Sequence, residues 1–111
     1  PMTAFEISDL IQQRADSGEL WMEFFRASSK SLSMGLYVIP AGGVDPQTPH
    51  SEDEIYYVVS GRGKIQVKDE DRSVQAGSIV FVAANDDHRF HSIEQELSVI
   101  VFFAPAEYTN Q

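Results

Sequence analysis

A histidine and a glutamate stand four residues apart where a polar segment of the sequence becomes apolar. In the stretch PHSEDEIYYVVSGRG, His50 and Glu54 directly precede a run of β-branched and aromatic residues. Residues two apart share a face of an extended strand, so both side chains point the same way if the chain is already extended at His50. The region is either a solvated loop that ends in a strand or a place where two side chains share a cation.

A glutamate on the inward face of a strand needs a partner. From Glu54 the same face continues through Tyr56 and Val58, and the residues between them take the opposite face. A carboxylate that faces a core must be neutralised, hydrogen-bonded or bound to a metal, because an unpaired buried charge is costly. His50 is the nearest residue that can share such a metal, and a simple His50–Glu54 salt bridge or hydrogen bond is the alternative.

His88 is the candidate for a third metal ligand. It follows the turn-forming residues Asn-Asp-Asp, just after the apolar segment SIVFVAA, and so belongs to another strand. His91 lies three residues further along and is expected to face the opposite side, as a surface or interface histidine.

The elements that must position these residues are short strands. After Gly18, about eight segments rich in β-branched and aromatic residues alternate with turn-formers, which predicts an all-β sandwich or barrel. These segments are LWMEFFRA, SLSMGLYVIP, EIYYVVS, KIQVK, RSVQ, SIVFVAA, HRFHSI and LSVIVFFAP. SGRG at 60–63 and KDEDR at 68–72 are predicted hairpin connections, and AGS at 76–78 a tight turn.

One short helix precedes the strands. The segment EISDLIQQRADSG predicts a helix over about residues 8–17, with Ser8 as the N-cap and Gly18 at its end. Its apolar side would consist of Leu10, Ile11 and Ala15.

Composition and charge narrow the class of protein. With 111 residues, 42% of them hydrophobic, residues 1–111 fit one domain, with the barrel over about residues 20–105. The formal net charge of −9 disfavours nucleic acid as a partner, since it repels phosphates. No apolar run reaches the ~20 residues of a membrane span, so we expect a cytoplasmic protein without a membrane partner. Cysteine is absent, which excludes disulfides and a thiolate nucleophile.

Two predicted strands carry apolar residues on both faces. In IYYVV and LSVIVFF one face must fill the barrel, and a second sheet or a second subunit is expected to cover the other. Trp21, Phe24 and Phe25 add further apolar surface. We therefore expect a symmetric homodimer whose N-terminal strands pack on the partner.

Two segments resemble the conserved motifs of the cupin superfamily. In the first, from Gly42 to Gly61, Thr48 and His50 occupy the two histidine positions and Glu54 the glutamate. In the second, Gly77 to Ser92, the histidine position is occupied by His88. The second motif differs from its usual pattern at three positions, which here are Ala83, Asn85 and Ser92.

The resemblance implies a jelly-roll β-barrel that binds one divalent metal inside, through three histidines and a glutamate. Here Thr48 replaces one histidine, and a neutral hydroxyl is a weak ligand for Fe, Mn, Ni or Zn. The amide oxygen of Gln47 is a possible substitute, and water is another. The remaining set of His50, Glu54 and His88 suits non-haem Fe(II) and leaves positions open for substrate or oxygen.

Other residues near the motifs have plainer roles. Tyr56 and Phe90 share the faces of the predicted ligands, and in a barrel such core residues are also the pocket wall. Glu52 lies in the loop before the strand, so we expect it to be exposed to solvent. Asp45 lies at the barrel mouth, where it touches a ligand or is simply part of the loop.

Three functional classes follow from the sequence. Resemblance to cupins, which include dioxygenases, isomerases, lyases and decarboxylases, favours a metalloenzyme acting on a small polar metabolite. A non-catalytic barrel that binds or senses a small molecule is one alternative, and a structural dimer with a degenerate site is another. The five arginines are scattered, and no glycine-rich phosphate loop occurs, so substrates with several phosphates are disfavoured.

Overall fold

The chain forms one helix followed by antiparallel strands. The computed structural model describes residues 1–46 and 48–110, so the predicted substitute ligand Gln47 lies outside the described residues. The elements are α1 (Ile7–Ser17), β1 (Trp21–Arg26), β2 (Ser33–Ile39), β3 (Asp53–Val67), β4 (Glu70–Gln75), β5 (Ile79–Val82) and β6 (His88–Ala104). Among the described residues, no helix has the length and apolar character needed to cross a bilayer. An all-β fold with a short N-terminal helix is thereby confirmed.

The ends of α1 differ in how well the sequence predicted them. Gly18 ends the helix in the left-handed region at φ 74°, and its N–H donates to the carbonyl of Ala15, as a glycine cap should. Ser8 is not the N-cap, contrary to the prediction. Glu6 holds that position, and its carbonyl already accepts the N–H groups of Asp9 and Leu10.

The apolar side of α1 is narrower than predicted. Leu10 alone in the helix is buried, and it packs against Leu36 and Val38 on the outside of β2. Ile11 and Ala15 are exposed, because the helix packs mainly against β1 and β2 through the side that carries Leu10.

Two long strands replace four of the predicted short ones. The segment SGRG at 60–63 was predicted as a hairpin, but β3 passes through it without turning back. The segments HRFHSI and LSVIVFFAP are likewise parts of β6. Both strands pair with each other over nearly their full lengths, and the register shifts near the middle mark the place where the paired strands bend. The tight turn at 76–78 is confirmed.

Gly61 makes this bend possible. Its φ of +94° is in the left-handed region, and a Cβ at this position would collide with the carbonyl oxygen of Glu96 on β6. Only glycine allows the two main chains to approach so closely. This position is the closing glycine of the first cupin-like motif.

The inward faces of the strands follow the predicted alternation. Glu54, Tyr56 and Val58 are fully buried, whereas Ile55 and Tyr57 between them are about two-fifths exposed. The N-terminal half of β3 pairs with β5 and its C-terminal half with β4, so one continuous core forms inside the barrel.

The exposed apolar surface agrees with the prediction for the strand segment IYYVV but not for the N-terminal aromatic residues. Trp21 is half-buried against Tyr37 and Phe103, and Phe24 and Phe25 contact Phe5. These aromatic side chains therefore already have partners within the chain. Four outward apolar side chains of β3 and β5 are exposed to solvent, and they are Ile55, Tyr57, Ile79 and Phe81.

Replacement of Gly61 by alanine should destabilise the barrel far more than the same change at Gly77. Both glycines have a positive φ, which costs an alanine about 1–2 kcal/mol, but a Cβ at Gly77 meets no atom within 4 Å. The clash with Glu96 should add about 1–3 kcal/mol for Gly61→Ala. Chemical denaturation measures both variants, and equal losses would show that the close approach of β3 and β6 does not limit this position.

Candidate metal site

Three side chains converge on one point inside the barrel. Nε2 of His88 lies 3.1 Å from Oε2 of Glu54, and Nδ1 of His50 lies 3.5 Å from the same oxygen. The potential ligand atoms of the three residues all lie within 4.8 Å of one another. The structure therefore brings together the set that the sequence analysis selected.

Each of the three residues comes from a different place in the chain. Glu54 stands at the start of β3, between Val82 of β5 and Phe103 of β6. His88 is the first residue of β6, and His50 lies in the loop before β3. The carbonyl of His50 accepts the N–H of Asn85 at 2.7 Å, which ties this loop to the turn that precedes His88.

Neighbouring groups orient two of the donors. The hydroxyl of Tyr56 donates to Oε1 of Glu54 at 3.0 Å, which leaves Oε2 toward the histidines. Nδ1 of His88 lies 2.8 Å from the carbonyl oxygen of Asp86. A carbonyl only accepts, so Nδ1 carries the hydrogen and the neutral ring has its lone pair on Nε2.

Among the described residues, the histidine nitrogens that face Glu54 make no well-aligned hydrogen bond, although both lie close to its carboxylate. Nδ1 of His50 and Nε2 of His88 are both fully buried and unsatisfied. Buried polar atoms are normally paired, and two orphaned imidazole nitrogens beside one carboxylate oxygen are a donor set for a divalent cation. The residues present thus fit a metal ion chemically.

Without a cation, protons balance the charge of the site. Burial alone would raise the pKa of Glu54, but its pairing with the imidazoles of His50 and His88 lowers that pKa to about 2. The hydrogen bond to Glu107, followed by the contact with Glu54, raises the pKa of His50 to about 10. Burial opposes the charged form of His88, yet the Glu54 carboxylate raises its pKa above the usual value. A metal would compete with these protons for the same lone pairs.

Glu107 is a site residue that the sequence analysis missed. Its Oε2 lies 2.8 Å from Nε2 of His50, and the residue is only 5% exposed. It belongs to the segment after β6, where neither periodicity nor the cupin-like motifs give a signal. Only the path of the chain end across the barrel brings it to His50.

Glu52 is buried, contrary to the prediction that it is exposed. Its carboxylate accepts the Ser51 hydroxyl and the backbone N–H groups of Tyr108 and Asn110. Burial would raise its pKa, but these hydrogen bonds lower it instead. The prediction of exposure rested on the loop position of Glu52. It is wrong because the segment after β6 folds over this loop and buries the side chain.

A cavity of about 280 Å³ lies beside His50. Its aromatic wall is formed by Trp21, Tyr37, Phe103 and Tyr108. Its polar groups include Thr48, His50 and Glu107. Thr48, at the replaced histidine position, is exposed and therefore lines the cavity rather than the buried centre.

Tyr56 and Phe90 are in the core behind the site rather than in the wall of this cavity. Both are almost completely buried, and their rings pack edge-to-face with centroids 4.9 Å apart. Asp45 is buried as well, and it accepts the Tyr37 hydroxyl and the N–H of Phe90. It thus has a structural role at the barrel mouth.

His91 lies on the outer surface, as predicted. Its Nε2 pairs with Asp71 at 2.8 Å, and its side chain is 20% exposed, whereas that of His88 is completely buried. The two histidines therefore face opposite sides of β6.

A barrel of antiparallel strands with two histidines and a glutamate gathered in its interior is typical of a cupin. The chain belongs to the family Cupin_2 (Cupin domain), which matches residues 35–104. The predicted resemblance is confirmed.

Relatives support this assignment. An uncharacterized protein of Streptomyces coelicolor is 42% identical over 106 residues, which are 96% of this chain and 99% of the relative. The structure of KdgF from Halomonas sp. is similar with a TM-score of 0.71 at 21% identity, covering 82% of each chain. A cupin 2 conserved barrel protein from Rhodopseudomonas palustris has a TM-score of 0.67 at 16% identity. The similarity covers 78% of this chain but only 61% of that one, and at such identities it shows the fold alone.

Tyr56→Phe should destabilise the protein, whereas Tyr57→Phe should not. The Tyr56 hydroxyl bonds a buried carboxylate, and loss of a hydrogen bond to a charged group costs about 1.5–3 kcal/mol. Tyr57 is the adjacent tyrosine on the outward face, and within the described part of the chain its hydroxyl makes no hydrogen bond, so removal of this hydroxyl should change stability by less than about 0.5 kcal/mol. The free energies of unfolding of both variants test this difference, and it is contradicted if the two tyrosines are equally dispensable.

Proposed function

We propose that this protein is a metal-binding cupin in which His50, Glu54 and His88 hold one first-row divalent ion. The observation that carries the proposal is a pair of buried nitrogens on the two histidines, both close to Oε2 of Glu54 and neither in a well-aligned hydrogen bond within the described part of the chain. A divalent ion would satisfy both nitrogens and the carboxylate together. Fe, Mn, Ni and Zn all accept this mixture of imidazole and carboxylate.

We further propose that the protein is an enzyme for a small polar organic molecule that enters the cavity beside His50. When bound, the ion would supply Lewis-acid chemistry at an oxygen of the substrate. The aromatic wall offers packing surface and Glu107 a hydrogen-bond acceptor. Among the described residues that line the cavity there is no lysine or arginine, which disfavours ligands with several phosphates.

A barrel that binds a small molecule without turnover is the second candidate. It is favoured by the protonated pairs His50–Glu107 and His88–Glu54, which balance the buried charges without any metal. Both candidates use the same cavity, and metal uptake separates them.

Metal uptake should depend on His88 and not on His91. The protein, purified without a histidine tag, is stripped with chelator and incubated with each ion, and its metal content and melting temperature are measured. Wild type should bind one equivalent, and an ion at 100 times its Kd should add about 2.7 kcal/mol of stability. His88→Ala should lose both effects, whereas His91→Ala should retain them, because His91 pairs with Asp71 on the outer surface.

A second variant separates loss of the ligand from loss of the fold. Removing one partner of a buried ion pair can itself cost about 3–5 kcal/mol, so His88→Ala risks unfolding. Glu54→Gln keeps the volume and the contact with Tyr56 but removes the charged ligand. A folded Glu54→Gln protein that bound metal like wild type, or a wild type that bound none of the ions, would refute the metal proposal.

We also propose a homodimer that covers the outward side chains of β3 and β5. Ile55 and Phe81 are opposite each other, as are Tyr57 and Ile79, so the four side chains form one exposed apolar patch. A second copy of the chain offers the same patch, which a symmetric interface requires.

Phe81→Asp should convert the dimer into a monomer. A charge at this position, now 60% exposed, would have to be buried at the interface without a partner. Val44→Asp is the control, because Val44 is 80% exposed but lies in the loop between β2 and β3. Light scattering at micromolar concentration measures the mass, and a monodisperse wild-type monomer would rule out the dimer.

A further inference from the structure

The cavity-side nitrogen of His50 is held by a residue from the end of the chain. We infer that Glu107 is a positioning residue, which selects Nδ1 of His50 as its metal-binding nitrogen. This inference rests on the proposed metal site and adds to it a role for the C-terminal turn, residues 105–110.

The two ring nitrogens of His50 have different surroundings. Nε2 lies 2.8 Å from Oε2 of Glu107, whereas Nδ1 is buried, lies 3.5 Å from Glu54 and makes no hydrogen bond with a described residue. A carboxylate accepts hydrogen bonds, so Nε2 carries the hydrogen and the neutral ring keeps its lone pair on Nδ1. In His88 the two nitrogens have the opposite roles. The carbonyl of Asp86 accepts from Nδ1, so the lone pair of the neutral ring is on Nε2. The two histidines would therefore bind one ion through different nitrogens.

Main-chain contacts fix the position of Glu107. Its N–H donates to the hydroxyl of Ser33 at 2.9 Å, and its carbonyl accepts from the guanidinium of Arg26 at 2.9 Å. The backbone N–H groups of Tyr108 and Asn110, in the same turn, both donate to the buried carboxylate of Glu52. Because all these contacts use the backbone of the turn, a change in the Glu107 side chain leaves them intact.

The conformation of the turn indicates that this placement is imposed by its surroundings. Tyr108 adopts a φ of 67°, which is unusual for a bulky residue and is held here by the bond to Glu52. The strained position directs its ring toward His50, with centroids 6.1 Å apart. Glu107 and Tyr108 thus enclose the outer side of the imidazole.

Glu107 matters because His50 is a loop residue. The strand residue Glu54 is oriented by sheet pairing, but a histidine in a loop can turn its ring and present either nitrogen. A carboxylate on the outer nitrogen removes this freedom and makes the ligand more basic. Loss of such a partner typically weakens metal binding by about 10–100-fold.

The test combines Zn²⁺ affinity with ¹⁵N NMR of the histidine rings, whose shifts distinguish a metal-bound nitrogen from a protonated one. Wild type loaded with Zn²⁺ should show His50 bound through Nδ1 and His88 through Nε2. Glu107→Ala should bind Zn²⁺ about 10–100-fold more weakly and lose the single Nδ1 pattern of His50. Glu107→Gln, whose amide oxygen can still accept from Nε2, should keep the pattern and lose less affinity.

Glu94→Ala is the matched control, because that carboxylate pairs with Arg62 at the exposed surface. It should leave the affinity and the ¹⁵N pattern unchanged. Binding through Nε2 of His50 in wild type, or a Glu107→Ala protein with wild-type affinity and pattern, would overturn the inference while leaving the metal site intact. If wild type takes up no Zn²⁺ and no other ion, the proposed function itself fails. Should Glu107→Ala not fold, the wild-type assignment and Glu107→Gln decide the question.

Discussion

The carboxylate of Glu54 lies on the inner face of the barrel with 1% of its surface exposed, where an unpaired charge would be very costly. The polar side chains next to this carboxylate stabilise its negative charge. Tyr56 donates to one oxygen, and the imidazoles of His50 and His88 approach the other. Protons on the histidines can supply the positive charge, and in the proposed metal site a divalent ion would take their place.

The two long strands of the barrel, β3 and β6, bring Glu54 and His88 together. Glu54 and His88 are far apart in sequence and stand at opposite ends of the pairing between β3 and β6, so they meet only because both strands bend near their middles. Gly61 permits that bend through its positive φ and its contact with the main chain at Glu96. A glycine far from the donors is thus a condition for their convergence.

The C-terminal turn completes the environment of the site. Thr48 replaces a histidine of the cupin pattern, is exposed and lies in the cavity wall. Glu107 approaches the site from the other end of the chain and bonds His50 instead. Glu52 holds the turn that carries it, which joins the loop before β3 to the chain end through one buried carboxylate. The site is therefore built from both motifs and from a segment outside them.

The sequence by itself determined the strand class, the inward face of β3 and the candidate ligands His50, Glu54 and His88, because alternation and turn residues act locally. Tertiary structure decided what depends on distant contacts. SGRG looks like a hairpin in isolation, yet β3 stays paired with β6 through this segment and bends there instead of turning back. The burial of Glu52 and the bond from His50 to Glu107 arise only when the chain end folds across the barrel mouth, and no periodicity encodes that path.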